Sequence, residues 1–144
     1  MLSKVHAAAL RGVDALPVEV EVHVGPGEER VVMVGLPDAA VRESIDRVST
    51  ALTSSGYHLP PGKTTVNLAP ADLRKEGPSF DLPIAVGWLI ASEQADKGIS
   101  ADYAMIGELA LTGAVRRVKG VLSVATRTHK EGRRGLLVPA ENAA

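Results

Sequence analysis

The first third of the chain carries an alternating pattern of apolar and polar residues. VEVEVHV (18–24) places valine at every second position, which is the period of a strand with one buried and one solvated face. GPGEE (25–29) then predicts a turn and RVVMVG (30–35) a second strand, so these segments are expected to form a hairpin. SKVHAAALRG (3–12) is expected to add another strand, although its alanines make the pattern ambiguous.

Helical spacing replaces this alternation from residue 41. Val41, Ile45, Val48 and Leu52 recur at intervals of four, three and four, which predicts an amphipathic helix with Pro37 in its first turn. SSG (54–56) is expected to end this helix.

Two further helices are predicted in the second half. FDLPIAVGWLIAS (80–92) predicts a mostly apolar helix with Trp88 in the core. Val118, Val121, Leu122 and Ala125 mark the apolar face of a last helix whose other face is basic. The remaining β-like segments are TTVNLA (64–69), MIGEL (105–109), ALTGAV (110–115) and GLLVP (135–139).

This order, with strands first and strands alternating with helices later, predicts an α+β or mixed α/β sandwich of a sheet and helices. A length of 144 residues fits one domain, 1–144. PAENAA (139–144) stops abruptly after a strand, so we expect this domain to be a piece of a longer protein.

Composition narrows the class of protein. The chain is 45% hydrophobic but only 3% aromatic, so aliphatic residues must fill the core. It has no cysteine, which excludes disulfides and thiolate metal sites and is compatible with a reducing cytoplasm. No apolar run approaches 18 residues. We therefore expect a soluble cytoplasmic domain with no membrane partner.

Charge is unevenly distributed along the chain. The net charge is −1, but residues 113–135 carry seven basic side chains and one acid, a local charge of +6 that leaves −7 for the rest. Residues 14–29 carry five acids. The basic segment is a candidate nucleic-acid surface. Its basic residues are Arg116, Arg117, Lys119, Arg127, Lys130, Arg133 and Arg134.

Other binding motifs are not supported by the sequence. GYHLPPGKT (56–64) resembles a phosphate-binding loop, but it has five residues between its glycines, two of them prolines, and a strand-like segment follows. The four histidines are scattered singly, so no metal site is expected. His23 and Lys63 are expected at the surface.

Ser79 raises the question of catalysis. It lies in KEGPSFDLP (75–83), after Gly-Pro and before an apolar run. A serine there suits acyl-transfer chemistry, because backbone N–H groups at a helix N-terminus can stabilise an oxyanion. It also suits simple N-capping, which is the more frequent role.

Three stretches carry a family resemblance: VGLPDAAVRESIDRV (34–48), TVNLAPADLRKEGPSFDLPIAVG (65–87) and GELALTGAVRRVKGVL (107–122). They closely resemble the N-terminal domain of the YifB/ComM family of magnesium-chelatase-like AAA+ ATPases. The resemblance implies a fold similar to ribosomal protein S5 domain 2, the Lon peptidase domain and the RadA C-terminal domain. It also implies a downstream AAA+ module that uses ATP and magnesium, and no cofactor for this chain.

The resemblance to Lon also bears on Ser79. Gly77-Pro78-Ser79 matches the Gly-Pro-Ser of Lon-type peptidases, but aligning GELALTG (107–113) puts Leu122 in the slot of their general-base lysine. Lys119 lies three residues earlier, nearly one helical turn or roughly 4.5 Å away if helical. We therefore interpret Ser79 as a vestigial nucleophile position.

The sequence-based hypothesis is a non-catalytic accessory domain of an AAA+ DNA-remodelling motor. By resemblance, its parent is hexameric and promotes branch migration and recombination during natural transformation. The partners are then the downstream AAA+ module, other copies of the chain and DNA. Two alternatives stay open: a degenerate Ser-Lys peptidase using Ser79, and a magnesium chelatase-like subunit.

Overall fold

A mixed six-stranded sheet organises the domain. The computed structural model describes residues 1–143, so residue 144, the end of the predicted domain, lies outside the described residues. The strand order in the sheet is β3-β4-β2-β1-β5-β8, and β6 pairs with β7 separately. The strands are β1 (Leu2–Arg11), β2 (Asp14–Gly25), β3 (Arg30–Val34), β4 (Lys63–Ala69), β5 (Tyr103–Met105), β6 (Glu108–Leu109), β7 (Val115–Arg116) and β8 (Gly135–Leu137).

β1 and β2 form the hairpin at the centre of this sheet. They are antiparallel over their full length, from Leu2 opposite His23 to Arg11 opposite Asp14. Gly12, at φ 62°, supplies the left-handed backbone of the tight turn. The alternation of VEVEVHV has the predicted effect, because Val18, Val20 and Val22 are buried. The predicted strand at 3–12 is confirmed as β1.

The predicted hairpin between 18–24 and 30–35 is wrong. β4 lies between the two strands, antiparallel to β2 and parallel to β3. Alternation identifies a strand but does not identify its neighbour. Gly62 makes the insertion possible, since a Cβ there would lie 2.3 Å from the carbonyl oxygen of Gly25.

Five helices complete the chain: α1 (Ala39–Arg42), α2 (Ser44–Ser54), α3 (Asp81–Ala91), α4 (Val121–Lys130) and α5 (Ala140–Ala143). The predicted helix from residue 41 is thus divided at Glu43 into α1 and α2. Pro37 is outside it, because Asp38 is the N-cap and accepts a 2.8 Å hydrogen bond from the Val41 amide. An acidic cap satisfies one of the free N–H groups of the first turn.

The inner face of the sheet holds the main core. α2 and α3 pack on it, with Val66, Leu68, Phe80 and Ile84 all at most 1% exposed. Trp88 is buried as predicted. Gly87 lets α3 approach the sheet closely, since a Cβ there would lie 2.9 Å from a Val22 methyl group.

The outer face is only partly covered. α4 packs against β1, β2 and β8, and a small cluster forms around Ala8, Ala15, Ile106 and Val124. Elsewhere this face carries polar residues on neighbouring strands, and Asn67 donates a 2.8 Å hydrogen bond to Glu21. His23 is exposed there, as predicted.

Candidate functional site: the Ser79 cavity

The Gly-Pro-Ser turn is held in a special backbone geometry. Gly77 is at φ 80°, in the left-handed region, and Pro78–Phe80 form one 3-10 turn that leads into α3. Gly77 and Phe80 are the cap residues of the 3-10 turn and of α3, and neither forms a side-chain cap bond. The expectation that Ser79 caps the helix is therefore wrong. Its hydroxyl is half-buried and is not engaged in capping.

A buried carboxylate fixes the base of this turn. Asp81 is fully buried and accepts a 2.5 Å hydrogen bond from the Ser44 hydroxyl and a 2.7 Å bond from Arg47 Nε. It also accepts a 3.0 Å bond from the Leu109 amide. The hydrogen bond to Asp81 raises the pKa of Arg47. Asp81 thus joins α2, α3 and the β6–β7 hairpin, because one carboxylate accepts from the last two partner elements and begins the third.

A second set of contacts holds the chain that precedes the turn. Lys75 is fully buried, and its ammonium donates to the Pro70 carbonyl. Its backbone joins the loop before α1, with bonds of 3.0 Å to the Leu36 carbonyl and 2.9 Å from the Asp38 amide. Burial lowers the pKa of Lys75. The loop at 70–76 is therefore anchored by both backbone and side chain.

Ser79 opens into a cavity of about 470 Å³ that contains both acids and bases. The cavity is lined by Leu10, Asp38, Glu76, Gly77, Pro78, Ser79, Glu108, Arg117, Val118 and Lys119. Asp38 is already committed to the Val41 amide and, at 3.3 Å, to the Gly77 amide. Arg117 donates to the Glu141 carbonyl at 3.1 Å. Ser79 and Lys119 remain as the hydroxyl and the ammonium of a possible dyad.

Lys119 and Leu122 lie where the sequence did not place them. α4 begins at Val121, so Lys119 is in the loop before the helix, and the spacing of one helical turn does not apply. Lys119 shares the cavity with Ser79, whereas Leu122 lines a different groove. Leu122 is also 81% exposed, so its predicted place on the buried face of α4 is wrong. Val124 and Thr128 supply the buried positions instead.

The geometry supplies the parts of acyl-transfer chemistry only incompletely. A serine needs an adjacent base that removes its proton. A lysine acts in that way when a dry site disfavours its charged form. Lys119 is exposed to solvent, and carboxylates of Glu76 and Glu108 share its cavity. Carboxylates nearby favour the protonated ammonium rather than the free amine.

The seven basic residues of segment 113–135 do not form one surface. Arg117 and Lys119 meet in the Ser79 cavity, while Arg127 and Lys130 line a second groove of about 620 Å³ beside α4. Arg116 is exposed in β7.

Arg133 and Arg134 are held elsewhere. Arg133 donates to the Ala101 carbonyl at 3.1 Å and to His6 Nδ1 at 3.0 Å. Arg134 lies over the ring of Tyr103, 5.9 Å from its centroid. These two arginines therefore have structural partners on the strands, unlike the exposed pair at the Ser79 cavity.

Other ligand sites predicted to be absent can be examined within the described residues. Among residues 1–143 there is no group of three or more histidine and acidic residues placed to hold a metal ion. GYHLPPGKT leads into β4, not into a helix, and Lys63 is exposed at the start of that strand. The helices found in this range are also too short or too polar for a bilayer crossing.

Sequence reasoning missed the residues that support the site. Asp81, Arg47 and Ser44 are far apart in sequence, and nothing in their spacing indicates a contact. One signal was available, since an acid at the start of the apolar run FDLPIAVGWLIAS is unusual. Acids are rarely fully buried unless they are paired, so Asp81 required a cationic partner.

A mixed α/β domain with a Gly-Pro-Ser turn above a buried carboxylate defines the class, and comparison with known proteins then gives the family. The family model "Subunit ChlI of Mg-chelatase" matches residues 20–142. YifB of Escherichia coli is 50% identical over 98% of this chain, and the competence protein ComM of Haemophilus influenzae is 44% identical over 99%. The chain therefore belongs to the YifB/ComM family of magnesium-chelatase-like proteins.

Two further facts limit what this similarity carries. The chain spans 28% of the length of the YifB and ComM proteins it matches. Lon protease 1 of Thermus thermophilus is a more distant relative, 29% identical over 83% of this chain and 16% of the protease.

Proposed function

We propose that this chain is a non-catalytic accessory domain of a YifB/ComM-type AAA+ ATPase. In this role it aids hexamer assembly or guides DNA during branch migration and recombination in natural transformation. The observation that carries the proposal is the 44% identity to a competence protein along almost the whole chain. Since the chain spans only 28% of that relative, ATP and magnesium are assigned to the remainder of the parent protein.

The charge distribution supports DNA guidance in a restricted form. Arg116, Arg117 and Lys119 are exposed close together in the chain. Phosphate contacts carry no sequence information, so binding by one domain should be weak and independent of sequence. Its logarithm should fall with log salt by about 0.9 per neutralised phosphate of duplex DNA. Several copies on one DNA would bind more tightly through avidity.

Charge reversal at Arg116, Arg117 and Lys119 in the full-length parent tests this proposal. We expect DNA affinity and DNA-stimulated ATPase activity to drop, while basal ATPase activity and ring formation persist. Lys63→Glu, at an exposed position at the far end of β4, is the control and should leave DNA binding unchanged. If DNA binding survives the triple reversal but the ring dissociates, the segment is a subunit contact and the DNA assignment is wrong.

The same proposal assigns no nucleotide site to this chain. GYHLPPGKT is followed by a strand, so it lacks the helix N-terminus that binds phosphate in nucleotide-binding loops. Titration with ATP and magnesium should give no saturable heat. Micromolar binding that disappears in Lys63→Ala would contradict the assignment.

A second candidate function is a Ser-Lys hydrolase of Lon type. One observation favours it: Ser79 and Lys119 line the same cavity. Distant similarity to Lon protease 1 also supports a Lon-like ancestry, and with it the finer proposal that the sheet follows the ribosomal protein S5 domain 2 arrangement. The exposure of Lys119 and the nearby carboxylates argue against an active dyad.

Activity-based probes for serine hydrolases separate the two candidates. We expect no labelling of the wild-type chain, and Ser79→Ala should change the free energy of unfolding by less than ~1 kcal/mol because no cap is lost. Stoichiometric acylation that both Ser79→Ala and Lys119→Met abolish would establish the hydrolase instead.

A further inference from the structure

β3 is a sheet edge without the features that normally prevent pairing. Among the described residues, β4 is the one strand that pairs with β3. Its sequence, RVVMV, contains no proline, no lysine and no acid. An open strand edge presents free N–H and C=O groups, and natural proteins usually protect such edges with charge, proline, bulges or brevity. β3 has one arginine at its end and is otherwise apolar.

The other free edges of the same sheet are protected. β8 has only three residues. The first part of β2, before β4 pairs with it at Glu19, contains Pro17, and the Ala15 carbonyl accepts a 3.0 Å bond from Arg127. Ser123 donates to the Val13 carbonyl at 2.7 Å in the adjacent turn. The contrast singles out β3.

Aliphatic side chains extend along the open edge. Val31 and Met33 pack against the main core, while Val32 and Val34 pair with Thr65 and Asn67 and so face the outer side of the sheet. Val34 is 45% exposed, and Leu36, just beyond the strand, is 52% exposed. Contiguous exposed aliphatic residues are typical of an interaction surface.

We propose that β3 pairs antiparallel with β3 of a second copy of this chain, about a two-fold axis at Val32, so that two six-stranded sheets become continuous. The residues of β3 select this occupant and this direction. In the antiparallel arrangement Val31 faces Met33 of the second copy, and Arg30 faces Val34, so apolar residues pair throughout. A parallel pair in register would instead place Arg30 beside Arg30, and like charges opposite each other destabilise a sheet.

The contact is isologous and closes on itself, which limits the assembly to a dimer through this edge. It uses no residue of the Ser79 cavity and no basic residue of segment 113–135. It is therefore independent of the proposed accessory function, and either can fail alone.

Substitution on the two-fold axis gives a sharp test with this chain. Sedimentation equilibrium up to ~1 mM chain should detect a weak dimer. Val32→Lys and Val32→Glu should each lower the dimer fraction several-fold, because each places two like charges together. An equimolar mixture of the two variants should form a heterodimer, since the opposed charges then attract. Thr65→Lys, on the same face but one strand inward, is the matched control and should not alter dimerisation.

Val34→Glu tests the direction of pairing. In the antiparallel register it places a carboxylate opposite Arg30, so it should strengthen the dimer, whereas in a parallel register it would weaken it. Circular dichroism checks that every variant is folded. A chain that stays monomeric at all concentrations, a mixture of the Val32 variants that does not associate, or a weaker dimer in Val34→Glu would each overturn the proposal.

Discussion

The two faces of the sheet are built in different ways. The inner face buries a cluster of twenty described residues, mostly Val, Leu and Ile, under α2 and α3. The outer face buries a cluster of five, two of them alanines, under α4. The inner face therefore supplies most of the hydrophobic stabilisation, and the outer face keeps polar and titratable side chains available. The difference predicts how substitutions on each face will behave.

Removal of the buried carboxylate on the inner side should have the largest effect. Asp81→Ala leaves Arg47 and the Ser44 hydroxyl without their shared partner, and breaking a buried ion pair in this way costs about 3–5 kcal/mol of unfolding free energy. Urea unfolding measures it. Glu43→Ala is the control, because Glu43 reaches the same arginine only at 3.5 Å in an exposed pair. The control should cost less than ~0.5 kcal/mol.

The same truncation on both faces compares the two clusters directly. Val66 is 0% exposed on the inner face, and Val124 is 2% exposed on the outer face. Val66→Ala should destabilise by about 2–3 kcal/mol, since its surroundings cannot collapse into the cavity. Val124→Ala should cost about 1 kcal/mol, because α4 can move closer to the alanines below it. Equal losses in urea unfolding would show that the two faces are equally rigid.

Leu122→Ala should give a smaller effect than either valine. Its side chain is 81% exposed, so the change in unfolding free energy should stay within ~0.5 kcal/mol. A loss above ~2 kcal/mol would mean that Leu122 belongs to the apolar face of α4, as the sequence spacing predicted.

The pH dependence of His6 should give the smallest effect. Burial, followed by the charge of Arg133, lowers the pKa of His6 below its model value of 6.5, against the raising influence of Glu19 and Glu131, while Lys4 acts in the lowering direction. The unfolded chain then binds the proton first. Stability should be constant above neutral pH, fall as the pH drops through 6.5 towards the lowered pKa, and level off below it.

His6→Asn should remove this part of the pH dependence. Urea midpoints between pH 5 and 8 measure it, with His58→Asn as the control because His58 lies in an exposed loop on the other side of the sheet. A wild-type midpoint that rises as the pH falls in this window would contradict the assigned direction of the pKa change.

Local patterns predicted the strands and helices better than their arrangement. Alternation in VEVEVHV and the spacing of Val41, Ile45 and Val48 have local causes, so they can be read from the sequence. The position of β4 between β2 and β3 depends on contacts between distant residues, which no local pattern encodes. A helical period also does not fix where a helix starts. Leu122 was misplaced because α4 begins at Val121, which turns that side chain outward.

The candidate site divides in the same way. The motif Gly77-Pro78-Ser79 is visible in the sequence, but the membership of Lys119 in its cavity results from the loop before α4. The supporting bonds of Asp81 and Lys75 link residues that are buried only in the folded chain. Sequence could therefore locate the turn but not its surroundings.

The position of β1 has a consequence for folding during synthesis. β1 is made first but lies inside the sheet, with β2 on one side and β5 parallel to it on the other. The hairpin with β2 can form as soon as residue 25 has left the ribosome. The second edge of β1 then stays open until residues 103–105 emerge, which at about 5–20 residues per second takes several seconds. During that interval β1 is a free apolar edge in the nascent chain, so the slow step that protects it is translation itself.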